Sequence, residues 1–165
     1  MELGKGYQIL MFVYFVNLTA NEILHLPAWS GDGTFYDVEN QESKVAFIKT
    51  SRGGVFMFFE SMNTSSLVYQ VTFGSYGMQT LMRGQHKDGP KSNTADPALL
   101  PEENRFKPFY FHWANNIMVV GAGTLVEQGS KFQWSYNVNV TVRYMSVRTI
   151  TSSMDYILDL SCRKV

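Results

Sequence analysis

The chain predicts an all-β fold, an antiparallel β-sandwich of jelly-roll type forming a single domain behind an N-terminal signal peptide. Three observations carry that prediction. Along Leu67 to Phe73 the large apolar residues fall on odd positions while Gln70 and Thr72 occupy the even face, so one face is buried and the other is wet. The same alternation returns in Phe109 to Trp113 and in Val138, Val140, Val142 and Tyr144. Turn punctuation at Gly53-Gly54, Gly74 to Gly77, Asn115-Asn116 and Gly129-Ser130 separates short β-branched and aromatic runs, and no segment carries a helical period.

Residues 1–20 read as a secretory signal peptide: Lys5 in a short polar lead, the apolar run Ile9 to Val16, and a small residue, Ala20, where a peptidase could cut. The run is short for a bilayer span, and the competing reading is an N-terminal buried strand. Residues 21–44 hold turn residues around Trp29 to Gly33 and the pair Phe35-Tyr36, which suits an edge strand or a strap across the sandwich. The sandwich domain proper is expected over residues 45–162.

Its first strands are Val45 to Thr50 and Val55 to Glu60, joined through Arg52-Gly53-Gly54. A polar turn, Met62 to Ser66, contains the sequon Asn63-Thr64-Ser65 and leads into the strand Leu67 to Gly74, a turn at Tyr76-Gly77, and the strand Met78 to Arg83. Four of the five prolines lie in His86 to Pro108, read as one long loop with a single helical turn at Pro97 to Leu100. Phe109 to Trp113, Ile117 to Gly121, Phe132 to Trp134 and Val142 to Thr149 complete the strands, with a second sequon at Asn139-Val140-Thr141. A third, Asn17-Leu18-Thr19, falls inside the signal and is discarded.

Composition narrows the function classes. The 165 residues suit one domain with a substantial core, 45% hydrophobic and 15% aromatic against only 17% charged, which excludes disorder. Basic and acidic residues balance at 14 each, with no basic stripe suited to a phosphate backbone, so nucleic acid is not an expected partner. Cys162 is the only cysteine, so the chain forms no internal disulfide; the thiol either pairs with another molecule, a route to homo-oligomers, or is buried and inert at a strand end.

Signals of chemistry fail on context. Ile117 to Thr124 resembles the strand and glycine turn of a dinucleotide site, but Val126 stands where the third glycine belongs and another strand follows instead of a helix. His25, His86 and His112 share no metal-ligand spacing, so no metal or catalytic group is expected. His112 sits opposite Phe111 and Trp113 and either faces solvent or lines a groove. Phe56, Phe58, Phe59 and Phe73 are read as core.

Several of these segments together resemble a known family. The pairs Phe47-Ile48-Lys49-Thr50 and Val55-Phe56-Met57-Phe58, then Tyr69 to Gly74, the Tyr76-Gly77 turn and the strand ending in Arg83, are similar to the early strands of the farnesoic acid O-methyltransferase-like domain. Phe109 to Trp113, Asn115-Asn116, Ile117 to Gly121, Gly123 and Phe132 to Ser135 resemble its aromatic strand and tryptophan-serine region, and Val142 to Thr149 its closing strand. The likeness covers about Val45 to Leu160, with Asn116 at the usual turn glycine and Ser75-Tyr76 where a glycine-tryptophan pair is common.

The family's title implies methyl transfer from S-adenosylmethionine to a sesquiterpenoid acid, yet the chain carries no parallel α/β pattern for that cofactor. The leading expectation is therefore a secreted, non-enzymatic recognition module without a cofactor, binding a protein, glycan or small hydrophobic ligand. The alternatives are an S-adenosylmethionine-dependent O-methyltransferase and a structural secreted protein. Tyr76, Arg83, His112 and Trp134 are the candidate ligand-binding residues, Asn63 and Asn139 the candidate glycosylation sites, and exposed aromatics such as Trp29 and Tyr136 candidate stacking surfaces for sugars.

Overall fold

A computed structural model of the protein describes residues 22–31, 34–75, 78–84, 91–125, 129–135, 141–158 and 163–164. The alternating segments become strands: β1 (Leu24–Leu26), β2 (Tyr36–Asp37), β3 (Ser43–Lys49), β4 (Gly54–Phe59), β5 (Leu67–Ser75), β6 (Gln79–Gly84), β7 (Lys91–Thr94), β8 (Lys107–Ala114), β9 (Ile117–Ala122), β10 (Lys131–Ser135), β11 (Tyr144–Thr149), β12 (Met154–Leu158) and β13 (Arg163–Lys164). All pair antiparallel, in a six-stranded sheet ordered β1-β12-β3-β8-β9-β10 and a seven-stranded sheet ordered β13-β2-β11-β4-β5-β6-β7. Consecutive strands repeatedly change sheet, so the inner faces of both must close on one core.

That core is aromatic. Phe56 and Phe58 of β4 and Phe73 of β5 meet Phe111, Trp113 and Phe109 of β8, with ring centroids 4.8 Å apart for Phe56–Phe111, 5.3 Å for Phe58–Trp113 and 4.7 Å for Phe73–Phe109. Each pair joins one sheet to the other, and such pairs contribute about 0.5–1.5 kcal/mol beyond the area they bury. Phe59, also read as core, is buried elsewhere. Strand alternation puts it on the face opposite Phe58, where Phe35 packs edge-on at 5.2 Å.

Two turns show why the local sequence works. Asn115 and Asn116 both adopt positive φ, at 52° and 61°, giving the two-residue hairpin between β8 and β9 the twist that its strands require. Asparagine tolerates that region, so the expected glycine is dispensable. Gly53, at φ 80°, lies so close to the β11–β12 turn that an added Cβ would sit 2.5 Å from Thr151 Oγ1.

Two expectations need correction. The segment 86–108 is not one loop: Lys91–Thr94 pairs with Thr80–Arg83 as the edge of the seven-stranded sheet, flanked by prolines that an edge strand tolerates. A 3-10 turn at Pro97–Leu99 follows, held by Asp96 as its cap, by the Thr80 hydroxyl donating to Leu99 O at 2.6 Å and by Lys107 donating to Leu100 O at 2.7 Å. The even face of β5 is not wet, since Gln70 and Thr72 are 3% and 4% exposed. Period two reports which way a side chain points and is blind to what stands beside it; in a central strand the neighbours Met57 and Arg83 flank Gln70. Within residues 21–44, β1 forms the edge of one sheet and β2 enters the other between β11 and β13. The signal segment 1–20, Tyr76, Tyr136, Asn139 and Cys162 lie outside the described residues.

Candidate functional site

The outer face of the seven-stranded sheet is where polar groups are concentrated by register. Across it runs one row from Ser146 through Met57 and Gln70 to Arg83, and next to it a second from Arg148 through Val55 and Thr72 to Leu81 and Asn93. The inner-face partners of the same strands, Val147, Phe56, Val71 and Met82, are fully buried. Gln70 and Thr72 sit at the centre, the amide Nε2 donating to Thr72 Oγ1 at 3.0 Å. This bond uses one of the two Gln70 amide hydrogens.

Guanidinium groups bracket this pair. Arg83 is beside Gln70 in the first row and Arg148 is at the β11 end of the second. Desolvation first, and the like charge of Arg83 second, hold the Arg148 pKa below the ordinary guanidinium value. Register puts both cations on one face, on β11 and β6.

Thr72 also lines a cleft of about 420 Å³ with Arg52, Gly53, Gly74, Ser75, Met78, Ile150 and Thr151. Its walls are stitched together by backbone bonds: Gly53 N donates to Phe73 O at 2.7 Å and Ile150 N to Gly53 O at 2.9 Å. Gly74, at φ 68°, is packed against Arg52 so tightly that an added Cβ would lie 2.6 Å from the Arg52 Cβ. Arg52, exposed at the cleft, is thus carried on a backbone fixed from both sides.

A strap closes the β11 edge of the same end. Gly31 pairs with Arg148, Thr149 N donates to Ser30 O at 2.7 Å, and the Thr149 hydroxyl donates to Pro27 O at 2.6 Å. These bonds hold Trp29 at φ 61°, unusual for a bulky residue, with its side chain 75% exposed. Strain of roughly 1–3 kcal/mol at such a position persists only where the surroundings over-determine it. Behind the strap, on the six-stranded sheet, a second cleft of about 460 Å³ has His25 Nδ1 at 2.6 Å from Asp155 Oδ1 and Lys49 Nζ at 2.7 Å from Asp155 Oδ2.

The residues expected from sequence are scattered by this geometry. Arg83 is on the outer face just described. His112, half-buried, is on the outer side of the other sheet between Ser43 and Val119, so the two never meet. Trp134 belongs to the edge strand β10, opposite Met118. Asn63 is exposed and its Oδ1 accepts from Ser65 N at 2.9 Å, capping the 3-10 turn Thr64–Ser66. Sequence reasoning missed Gln70, Thr72, Arg52 and Arg148. One signal was present: β4, β5, β6, β7 and β11 contain no Asp, Glu, His or Cys at all.

Among the described residues no group of three or more His, Cys, Asp or Glu is placed to hold a metal, and no helix is long and apolar enough to cross a membrane. No family model matches the chain, and no curated protein matches it in sequence. Solved structures do resemble it. A double-substitution variant of human galectin-16 superposes with a TM-score of 0.52 at 14% identity, covering 82% of this chain and 93% of the galectin. The sandwich is galectin-like in fold. Xenopus laevis galectin-Ib covers 82% of the chain and 99% of its own length, with a TM-score of 0.47 at 10% identity.

Proposed function

We propose that this chain is a secreted, non-catalytic recognition module that holds a glycan on the outer face of its seven-stranded sheet. The observation that carries the proposal is the buried Gln70–Thr72 pair, hydrogen-bonded to each other and bracketed by Arg83 and Arg148 on one preorganised face. Sugar hydroxyls need fixed donors and acceptors on a surface that costs little to order, and side chains locked by a central strand supply them. The strands that carry the pair and its neighbours, β4 to β7 and β11, offer no Asp, Glu, His or Cys, which favours binding over general acid–base chemistry. The galectin-like fold supports the same reading, and the N-terminal signal pattern and the sequon at Asn63 support secretion.

Calorimetric titration of the purified chain against a panel of oligosaccharides tests the proposal, with Gln70→Ala and Thr72→Val as variants. Saturable binding weakened about tenfold or more by either change is the expected result. Farnesoic acid and S-adenosylmethionine belong in the same panel. If those bind and no sugar does, the methyltransferase-like alternative replaces this one. Recovery of the chain from culture medium, lost on deletion of residues 1–20, tests secretion.

A further inference from the structure

Charge on the chain is balanced overall, 14 basic against 14 acidic residues, yet it is segregated around this site. Of the seven strands of this sheet, β4 to β7 and β11 bring Arg83, Lys91 and Arg148 and no carboxylate, the β3–β4 turn adds Arg52, and Asp37 lies beyond β11 on β2. Lys91 occupies the register position opposite Arg83. Among the described residues, Asp155 pairs with Lys49 and His25 on the six-stranded sheet, Glu102 with Arg105, and Glu39 with Arg143. Among the described residues neither Arg52 nor Arg148 has a carboxylate partner.

We infer that the glycan held on this face is anionic, its sulfate or carboxylate groups met by Arg52, Arg83 and Arg148 while neutral hydroxyls meet Gln70 and Thr72. The inference rests on the glycan-binding reading above and deepens it by naming the ligand class. Three physical points carry it. Like charges gathered on one desolvated face repel one another, and an anion bound between them relieves that cost. Planar guanidinium groups match the paired oxygens of sulfate and carboxylate, which a lone ammonium does not. Arg52 and Arg148 belong to segments tied by backbone bonds, Gly53 N to Phe73 O and Gly31 paired with Arg148, so their Cα positions are set before any ligand arrives.

The experiment uses a sulfated disaccharide, a uronic-acid or sialic-acid oligosaccharide, their uncharged counterparts and inorganic sulfate, each titrated into the full chain at low and high salt. The expected result is that one or both anionic sugars bind at least about tenfold more tightly than the uncharged form, with the margin shrinking as salt screens the pairing. Arg148→Gln and Arg52→Gln each remove several-fold of that margin, read as the ratio of charged to uncharged affinity, and Arg148→Lys keeps only part of it. Which anionic arm binds distinguishes sulfate from carboxylate. If charged and uncharged sugars bind equally, the inference fails and the glycan-binding reading stands. If no sugar binds, both fail together, and sulfate alone binding as tightly as its sugar overturns the inference in favour of a simple anion site.

Discussion

Gly121→Ala is the substitution whose cost the structure fixes most sharply. Gly121 lies in β9 directly opposite Tyr110 of β8, and the Tyr110 ring covers it. A Cβ added there would lie 1.9 Å from Tyr110 Cζ, 2.1 Å from Cε1 and 2.2 Å from Oη. Carbon–carbon contact is comfortable near ~3.5 Å, so the ring must retreat by about 1.5 Å. Tyr110 is fully buried and has no room to do so in place. The chain then either shifts backbone around an overpacked ring, at about 1–3 kcal/mol, or expels the ring and forfeits about 1.5–3 kcal/mol of apolar burial. Replacing glycine by alanine in a strand returns about 0.5–1 kcal/mol. The net expectation is a loss of about 1–2 kcal/mol, a large share of a stability that for such domains is only about 5–15 kcal/mol.

Urea unfolding followed by tryptophan fluorescence measures that loss, and a double-mutant cycle assigns it. In a Tyr110→Ala background the clash is gone, so Gly121→Ala should be neutral or stabilising by up to about 1 kcal/mol. An equal cost in both backgrounds would refute the argument, because the penalty would then have nothing to do with the ring.

Three further outcomes follow from named contacts. Asp155 is held below the ordinary carboxylate pKa, first by the hydrogen bond from Lys49 and then by that from His25. A depressed native pKa means that its stabilisation is complete above the unfolded value near ~4 and is lost as pH falls through the native one. Asp155→Asn should therefore cost about 1 kcal/mol or less at pH 7 and less as pH falls below about 4, measured by unfolding across that range. Thr80→Val removes the donor to Leu99 O inside the protein and should cost about 1–2 kcal/mol in the same assay, whereas an unchanged midpoint would show that the Pro97–Leu99 turn is not anchored there. Chain expressed through a secretory pathway should lose a glycan-dependent gel shift in Asn63→Gln, and a wild-type chain insensitive to endoglycosidase would contradict that assignment.

Most strands were legible because period two is a local property. Phe109 to Trp113 places three aromatics on one face whatever else the chain does, and those three are the inner face of β8. The hairpin asparagines were legible for the same reason, as residues that tolerate positive φ. The edge strand Lys91–Thr94 was hidden because Lys-Ser-Asn-Thr has no apolar alternation and is flanked by prolines; its strand state comes from pairing with β6. The site was hidden more deeply. Arg148 and Thr72 flank Val55 from strands far apart in sequence, and only register brings them together. Gln70 looked wet because alternation cannot see its neighbours, and the proximity of Arg148 to Arg83 is a tertiary fact. The shortage of acidic residues across five strands could have been read from the chain, but it acquires meaning only once those strands are known to share a face.

The central claim, that recognition occurs on the outer face of the seven-stranded sheet, is tested most directly by chemical-shift mapping during titration with an oligosaccharide that binds. The account predicts that the largest changes fall on Gln70, Thr72, Arg83 and Arg148, with His112 on the opposite sheet unmoved. Changes centred on His112, or on the cleft around His25 and Asp155, would contradict it.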